Sequence, residues 1–254
     1  MRTPRIFTGQ TLAPDQVVEL EPGPGQHVAR VLRMGPGDPL VLFDGSGGEF
    51  PATLQVVDKK RVTVALGERQ DREAESPLWI HLGIAVSRGD RMDWVMQKAT
   101  ELGVSAITPL LTERTEVRLA GERGDKKLRH WRQVTISACE QCGRNRLPLL
   151  NQPQDTDQWL QATTADCKLV LHHRAHASSL PGNAPASLAL LVGPEGGLSA
   201  AEIDRAEAAG YQSLSLGPRV LRTETAPLAA LAILQARWGD MAQPQQAGST
   251  GLQD

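Results

Sequence analysis

The first 72 residues contain short apolar runs that are separated by turn residues. Strand-like runs occupy residues 17–20, 27–31, 39–43, 49–57 and 61–66. Clusters rich in Gly, Pro and Asp lie between them, at 21–25, 35–38 and 44–48. Many short strands at such spacing are typical of a small β-barrel. The pattern therefore predicts a β domain over residues 1–72.

The period of the pattern changes after the polar stretch Gly67–Pro77, which we interpret as a linker. Apolar runs that are typical of buried strands occupy 78–86, 105–111, 168–171, 188–192 and 213–216. Segments with helical periodicity occupy 91–102, 126–142, 200–209 and 226–238. Alternation of strand and helix predicts a parallel sheet with crossover helices. We therefore predict an α/β domain over residues 73–239 and a disordered polar tail over 240–254.

Composition adds the class of protein and its compartment. No apolar run approaches the length of a membrane span, and the start lacks the apolar core of a signal peptide. Three cysteines give no disulfide framework, so we expect a cytoplasmic protein. The net charge of −2 argues against a generally basic RNA-coating protein. Residues 110–150 nevertheless hold nine Lys and Arg against five Asp and Glu, which fits either local phosphate binding or a solvated helix face.

Two loops rich in Gly and Pro are the strongest candidate site. Leu191–Ser199 reads LVGPEGGLS, and Leu214–Ala226 reads LSLGPRVLRTETA. Each loop follows an apolar run and leads into a helical segment, so their backbone amides and glycines can form a pocket. Ser199 and Glu202 predict a capping box at the start of the helical segment that follows the first loop. The alternative for the first loop is a tight strand-to-helix turn, and the chain contains neither dinucleotide nor P-loop fingerprint.

The second loop carries charged residues beside a helix that is apolar enough to be largely buried. Arg222 and Glu224 are therefore expected at the edge of a core, where charged groups are usually paired or part of a site. The alternative is an internal Arg–Glu clamp that holds the loop.

The end of the long helix offers a second cluster. Cys139 and Cys142 form a C-x-x-C pattern that suggests zinc or redox chemistry, with Cys167, His172, His173 and His176 as possible partners. No second C-x-x-C is present, so we predict no metal. Glu140 and Arg144 are spaced as an i,i+4 ion pair, and Arg144 and Arg146 fit either the helix terminus or a phosphate. Lys98 and Glu101 fit an ordinary surface pair.

At these motifs the chain closely resembles the RsmE family, the 16S ribosomal RNA uridine N3-methyltransferases of the SPOUT superfamily. The resemblance extends over residues 1–239. The matching runs are Arg30–Gly37, Gln97–Val104, Ala138–Arg146, Leu191–Ser199 and Leu216–Thr225.

The resemblance implies a fold, a cofactor and partners. It implies an N-terminal PUA-like β-barrel that binds RNA, followed by an α/β domain whose parallel sheet contains a deep trefoil knot. It further implies a homodimer that binds S-adenosylmethionine and acts on 16S rRNA within the small ribosomal subunit. The residues expected at the cofactor are Leu171, His172, Val192, Gly193, Pro194, Glu195, Gly196, Leu214, Leu216, Gly217, Arg219, Leu221, Thr223, Thr225 and Ala226.

Methylation of uridine N3 requires loss of the imide proton, which spreads negative charge over two carbonyl oxygens. Arg222 is our candidate donor to those oxygens, and Glu140 or Glu224 is the candidate base, with Glu101 behind them. The residues expected to contact RNA are basic: Arg2, Arg5, His27, Arg30, Arg33, Lys98, Arg114, Arg144 and Arg146. The alternatives are a methyltransferase that modifies another RNA position, such as a ribose 2′-hydroxyl, and a non-catalytic RNA-binding or ribosome-assembly factor.

Overall fold

The computed structural model describes residues 3–58, 61–117, 119, 121–172, 180 and 182–241. Arg2, His173, His176 and residues 242–254 of the predicted tail lie outside them. Two sheets organise the described chain. Its helices include none that is long and apolar enough to cross a membrane.

The N-terminal sheet has five strands, and four of them were predicted. They are β1 (Arg5–Phe7), β2 (Val17–Glu19), β3 (Pro39–Phe43), β4 (Phe50–Val57) and β5 (Val62–Leu66). Their order is β1-β3-β4-β5-β2, and only the β1–β3 pair is parallel. Alternate residues such as Leu40, Leu42 and Leu54 are buried in one apolar core. Period-two burial of this kind is why the strands could be predicted.

The predicted strand at 27–31 is wrong. Helix α1 (Pro22–Gln26) continues into a π-helical turn, His27–Val31. Pro22 stands at the first turn of α1, where its missing N–H costs nothing and its fixed φ favours the helix. A strand would bury alternate residues, whereas Val28 is the only buried residue of the turn.

The C-terminal sheet contains seven strands that pair in parallel. They are β6 (Trp79–Ala85), β7 (Ala106–Leu111), β8 (Leu149–Leu150), β9 (Gln154–Asp155), β10 (Cys167–Leu171), β11 (Ser187–Val192) and β12 (Gln212–Leu214). The order is β12-β10-β11-β6-β7-β8, and β9 also pairs with β7. The predicted parallel sheet is thus confirmed.

Helices cover both faces of this sheet. They are α2 (Arg91–Glu101), α3 (Gly121–Cys142), α4 (Thr156–Ala162), α5 (Ala200–Ala208) and α6 (Thr225–Trp238). One core joins the sheet to α2, α3 and α6, and a second joins it to α4 and α5. Helix α4 was not predicted because seven residues are too few to show a helical period. It is positioned by Trp159, whose ring would lie 2.6 Å from a Cβ at Gly83.

The polar stretch after β5 is an ordered strap rather than a free linker. Glu49 and Gln70 exchange two backbone hydrogen bonds, and Arg144 pairs through Nη2 with Glu75 over 2.6 Å. The buried Arg5 side chain pairs with Glu49 and donates to Asn145. We call this set the interdomain cluster, and it comprises Arg5, Glu49, Arg72, Glu75, Arg144 and Asn145. It fixes the N-terminal sheet against the end of α3.

Candidate active site

A cavity of about 440 Å³ opens at the carboxyl edge of the parallel sheet. Strands β10 and β11 end there, at Leu171 and Val192. The cavity lies between the first loop (residues 193–199) and the second loop (residues 215–224). Ligands of open α/β sheets bind at this edge, because the loops that follow parallel strands meet there.

Most of the residues predicted at a cofactor lie at the cavity wall. They are Leu171, His172, Val192, Gly193, Pro194, Glu195, Gly196, Leu216, Gly217, Arg219, Leu221, Thr223 and Ala226. Two predicted residues do not line the cavity. Leu214 belongs to the apolar core under the sheet, and Thr225 begins α6.

The sequence analysis did not predict several further residues of the cavity wall, although the sequence pattern indicated the position of some of them. They are Arg114, Gly197, Leu198, Ala200, Ile203, Asp204, Ser215 and Val220. Ala200, Ile203 and Asp204 belong to the first turns of α5, whose capping box is present as predicted. A helix that starts at the cavity necessarily presents its first turn to it.

The first loop depends on its glycines for shape. A Cβ on Gly193 would lie 2.8 Å from the backbone nitrogen of Leu198, so a larger residue would push the loop open. Gly197 has a φ of +68°, which favours glycine, and its N–H donates to the Pro194 carbonyl over 2.8 Å. Gly196 is different, because its Cβ would meet only the Arg114 side chain, at 3.4 Å.

Ion pairs join the two loops to the rest of the sheet edge. Arg91, the first residue of α2, donates from Nη1 to Glu195 Oε1 over 2.8 Å, and its Nε lies 3.8 Å from Glu224 Oε2. Burial raises the pKa of the Glu195 carboxyl, but backbone amides, including that of Arg88, and the Arg91 guanidinium outweigh it and hold that pKa below its usual range. Arg114 donates from Nη1 to the Gly196 carbonyl over 2.7 Å.

Arg222 and Glu224 do not form the internal clamp that the sequence left open. Glu224 faces Arg91, while Arg222 is exposed and its side chain has no ion pair or hydrogen bond with any described residue. The Arg222 carbonyl accepts the N–H groups of Thr225 and Ala226 at the start of α6. Leu221 and Thr223 on either side of Arg222 line the cavity, whereas Arg222 and Glu224 are not among its wall residues.

The structure does not bring Glu140, the predicted base, to this cavity within one protomer. Glu140 lies on α3 and accepts the N–H of Phe7 over 3.0 Å. Burial raises the pKa of its carboxyl. The expected i,i+4 pair with Arg144 is also absent, because Arg144 turns to Glu75 and to the carbonyls of Thr100 and Val104.

Two residues predicted to contact RNA are buried instead. Arg5 and Arg144 are 8% and 3% exposed and belong to the interdomain cluster, so neither can reach a phosphate. Arg146 pairs with Glu73 at 3.6 Å, Lys98 pairs with Glu101 at 2.8 Å, and Arg114 holds the first loop.

The remaining candidates lie on the N-terminal domain. His27 and Arg30 line a groove between this domain and α3. Arg33 is exposed and has a φ of +54°.

The C-x-x-C pair does not resemble a metal or redox site. Cys139 is buried, and its burial raises the pKa of its thiol to about 12. Cys142 is partly buried, and its pKa is also raised by burial. Within residues 3–241, leaving out the segments outside the description, no group of three His, Cys, Asp or Glu could hold a metal ion.

The chain is similar to known RNA methyltransferases. A family model described as an RNA methyltransferase domain matches residues 74–235, and one described as an RNA methyltransferase PUA domain matches residues 25–66. The ribosomal RNA small subunit methyltransferase E of Buchnera aphidicola subsp. Schizaphis graminum is 35% identical over 243 residues, which are 94% of this chain and 98% of that protein. The Bacillus subtilis protein of the same name is 34% identical over 82% of this chain and 85% of its own length.

Two solved structures are similar over nearly the whole chain. A putative methyltransferase from Legionella pneumophila in complex with S-adenosylmethionine is 47% identical, with a TM-score of 0.92 over 95% of this chain and all of that chain. A ribosomal RNA small subunit methyltransferase E from Neisseria gonorrhoeae, bound to S-adenosylmethionine, is 38% identical, with a TM-score of 0.88 over 94% of this chain and all of that one.

Proposed function

The chain belongs to the ribosomal RNA small subunit methyltransferase E family, and from this premise we propose that it methylates N3 of a uridine in 16S rRNA. It is an S-adenosylmethionine-dependent methyltransferase of the small-subunit RNA. The observation that carries this proposal is the exposed guanidinium of Arg222, which has no partner among the described residues and belongs to the second loop between two residues of the cavity wall, Leu221 and Thr223.

The residues of the cavity fit the cofactor. Its volume of about 440 Å³ is within the ~300–1,000 Å³ of small-molecule sites. Leu171, Val192, Leu216 and Leu221 give it an apolar lining, and the glycines of the first loop let a ligand lie against backbone. When bound, S-adenosylmethionine supplies an electrophilic methyl group on a sulfonium. The two loops orient that group and exclude water from it.

Arg222 supplies the donor that the target base needs. A uracil that loses its N3 proton carries negative charge on its carbonyl oxygens, and an uncommitted guanidinium can donate to them. Glu224 remains the candidate base in this protomer, although it shares Arg91 with Glu195. Glu140 accepts the N–H of Phe7 and lines a different groove, so we do not assign it that role within one protomer.

A trefoil knot fits the course of the chain after β12. Strand β12 lies at one edge of the sheet, whereas α6 packs beside α2, which connects β6 to β7 further across. Gln235 of α6 donates to the Leu102 carbonyl over 2.9 Å. The second loop must therefore pass the carboxyl ends of β10 and β11 to reach α2. We propose that it threads the preceding connections there.

We propose a PUA-like RNA-binding domain over residues 1–72 and a methyltransferase domain over 73–239, which accords with the ranges of the two family models. We also propose a homodimer and a cytoplasmic location, which the resemblance to the family implies. The exposed Trp94 of α2 and Ile233 of α6 offer apolar surface for a dimer contact.

Methyl transfer in vitro separates an enzyme from a non-catalytic factor that has kept the fold. The purified chain is incubated with methyl-labelled S-adenosylmethionine and small ribosomal subunits from a strain that lacks this methylation. We expect label in the RNA of these subunits and none in subunits that are already methylated. Cofactor binding without any transfer would favour the binding factor.

A further inference from the structure

A groove of about 700 Å³ runs between the N-terminal domain and α3, apart from the cavity between the two loops. We call it the interdomain groove. One wall is the helical segment of the N-terminal domain, with His27 and Arg30. The other wall is one face of α3, with Arg129, Arg132 and Glu140. Its basic walls therefore come from both domains.

The acids of the interdomain groove are already engaged by the chain itself. Glu21 accepts hydrogen bonds of 2.8 Å from Thr8 Oγ1 and from the backbone N–H of Gly9. Glu140 accepts the N–H of Phe7. These donors are neutral, so both carboxylates keep their charge, but neither forms an ion pair with an arginine of the groove in the described parts of the chain.

The cations of the groove are not engaged in this way. Arg30, Arg129 and Arg132 are exposed, and none forms an ion pair with a residue in the described parts of the chain. The three uncommitted guanidinium groups outnumber the two carboxylates of the groove, which fits a polyanion. Phe7 and Ile136 add apolar surface between the charges, and Val31 at the rim is 66% exposed.

The size of the groove favours a single strand of RNA. Its volume of about 700 Å³ is within the range of sites for ligand-sized groups, which fits a few nucleotides of one strand. Proteins read RNA sequence mostly on single strands, whose bases contact apolar side chains while Arg contacts phosphates. We propose that the interdomain groove binds a single-stranded segment of the substrate RNA, with phosphates on Arg30, Arg129 and Arg132.

The interdomain cluster explains why the groove is formed before RNA arrives. Buried Arg144 ties the end of α3 to Glu75, and buried Arg5 ties β1 to Glu49 and Asn145. Both walls therefore keep their spacing without a ligand. A preformed site loses less ordering entropy when it binds.

The proposal rests on the proposed function for the identity of the RNA, so its test measures binding rather than methylation. Arg129→Ala/Arg132→Ala is compared with Lys126→Ala/Lys127→Ala, which removes the same charge from the same helix outside the groove. The probe is a short labelled oligouridylate, alone or annealed to oligoadenylate, in fluorescence anisotropy over a range of salt. Cofactor affinity is measured on the same samples by calorimetry.

We expect the groove variant to bind the single strand about tenfold more weakly, with a salt slope lower by about 1.4 for two lost phosphate contacts. The Lys variant should change binding much less, and both should bind the cofactor normally. Equal losses in the two variants, or tighter binding of the duplex than of the single strand, would overturn the proposal. Competition by polyglutamate as strong as by oligouridylate would also overturn it, in favour of an acidic protein partner. A wild-type chain that binds the strand but transfers no methyl group would contradict the proposed function and leave the groove standing.

Discussion

Arg91 donates a hydrogen bond of 2.8 Å from Nη1 to Glu195 Oε1 and so joins the start of α2 to the first loop. Its Nε also faces Glu224 of the second loop, which makes Arg91 a link between the two walls of the cavity.

We expect Arg91→Ala to weaken S-adenosylmethionine binding about fivefold, since a partly exposed ion pair contributes up to ~1 kcal/mol. Arg91→Lys keeps the charge and should recover part of this loss. Calorimetric titration of both variants measures the effect. Equal affinities of Arg91→Ala and the wild type would mean that the loops hold their spacing without this residue.

The glycines of the first loop allow a matched comparison. Gly193→Ala places a Cβ against the Leu198 backbone, so we expect it to weaken cofactor binding and to lower stability by ~1–3 kcal/mol. Gly196→Ala meets only a flexible arginine and should change stability by less than ~0.5 kcal/mol. Denaturant unfolding and cofactor titration of the two proteins compare them. The reverse order of effects would show that the first loop is shaped differently.

Local sequence patterns predicted the first loop correctly. The ion pair predicted at the end of α3 was wrong, because contacts with distant segments determine the partners there. The capping box of Ser199 and Glu202 depends on residues three apart, so the sequence displays it. The partners of Glu140 and Arg144 are Phe7 and Glu75, which lie 133 and 69 positions away. Local spacing suggested that they pair with each other, and no local rule predicts these distant contacts.

In the fold, too, local patterns were predicted correctly and contacts between distant segments were not. The period of buried positions predicted five of the seven parallel strands and α2, because each pattern arises within one element. It did not predict that β9 adds to β7 or that Trp159 fills the space above Gly83, since both depend on chain segments far apart. Sequence periodicity also cannot predict the proposed knot, because a threaded connection produces no periodic pattern.

Glu140 gives a pH-dependent prediction about stability. Burial raises the pKa of its carboxyl in the folded protein above the usual 4.5, while Arg5 and His27 act in the opposite direction. Folding therefore favours the protonated form, and ionisation above that pKa costs stability. Glu140→Gln keeps the acceptor for Phe7 and removes the ionisation.

We expect wild type and Glu140→Gln to unfold at similar temperatures at about pH 4, and the variant to be the more stable at about pH 7.5. Thermal unfolding at both pH values measures this. A variant that is less stable at the higher pH would show that the ionised carboxylate is well solvated or paired.

Variants of Arg222 should affect methyl transfer without affecting cofactor binding. Its exposed guanidinium has no partner among the described residues, so its removal should leave the fold and the cofactor affinity nearly unchanged. We expect Arg222→Ala to lower the rate of methyl transfer by at least ~100-fold, as the loss of a donor to developing negative charge does. Arg222→Lys should retain part of the rate. Single-turnover transfer to small subunits measures it, and near-normal turnover of Arg222→Ala would remove this residue from the mechanism.

The position of the transferred methyl group decides whether the chain modifies N3 of uridine. Small ribosomal subunits from a strain without this methylation are treated with the purified chain and S-adenosylmethionine, and the 16S rRNA is digested to nucleosides for mass spectrometry. We expect 3-methyluridine, absent from the sample without protein and strongly reduced with Arg222→Ala. A methylated ribose, a methyl group on another base, or no new methylated nucleoside would contradict it.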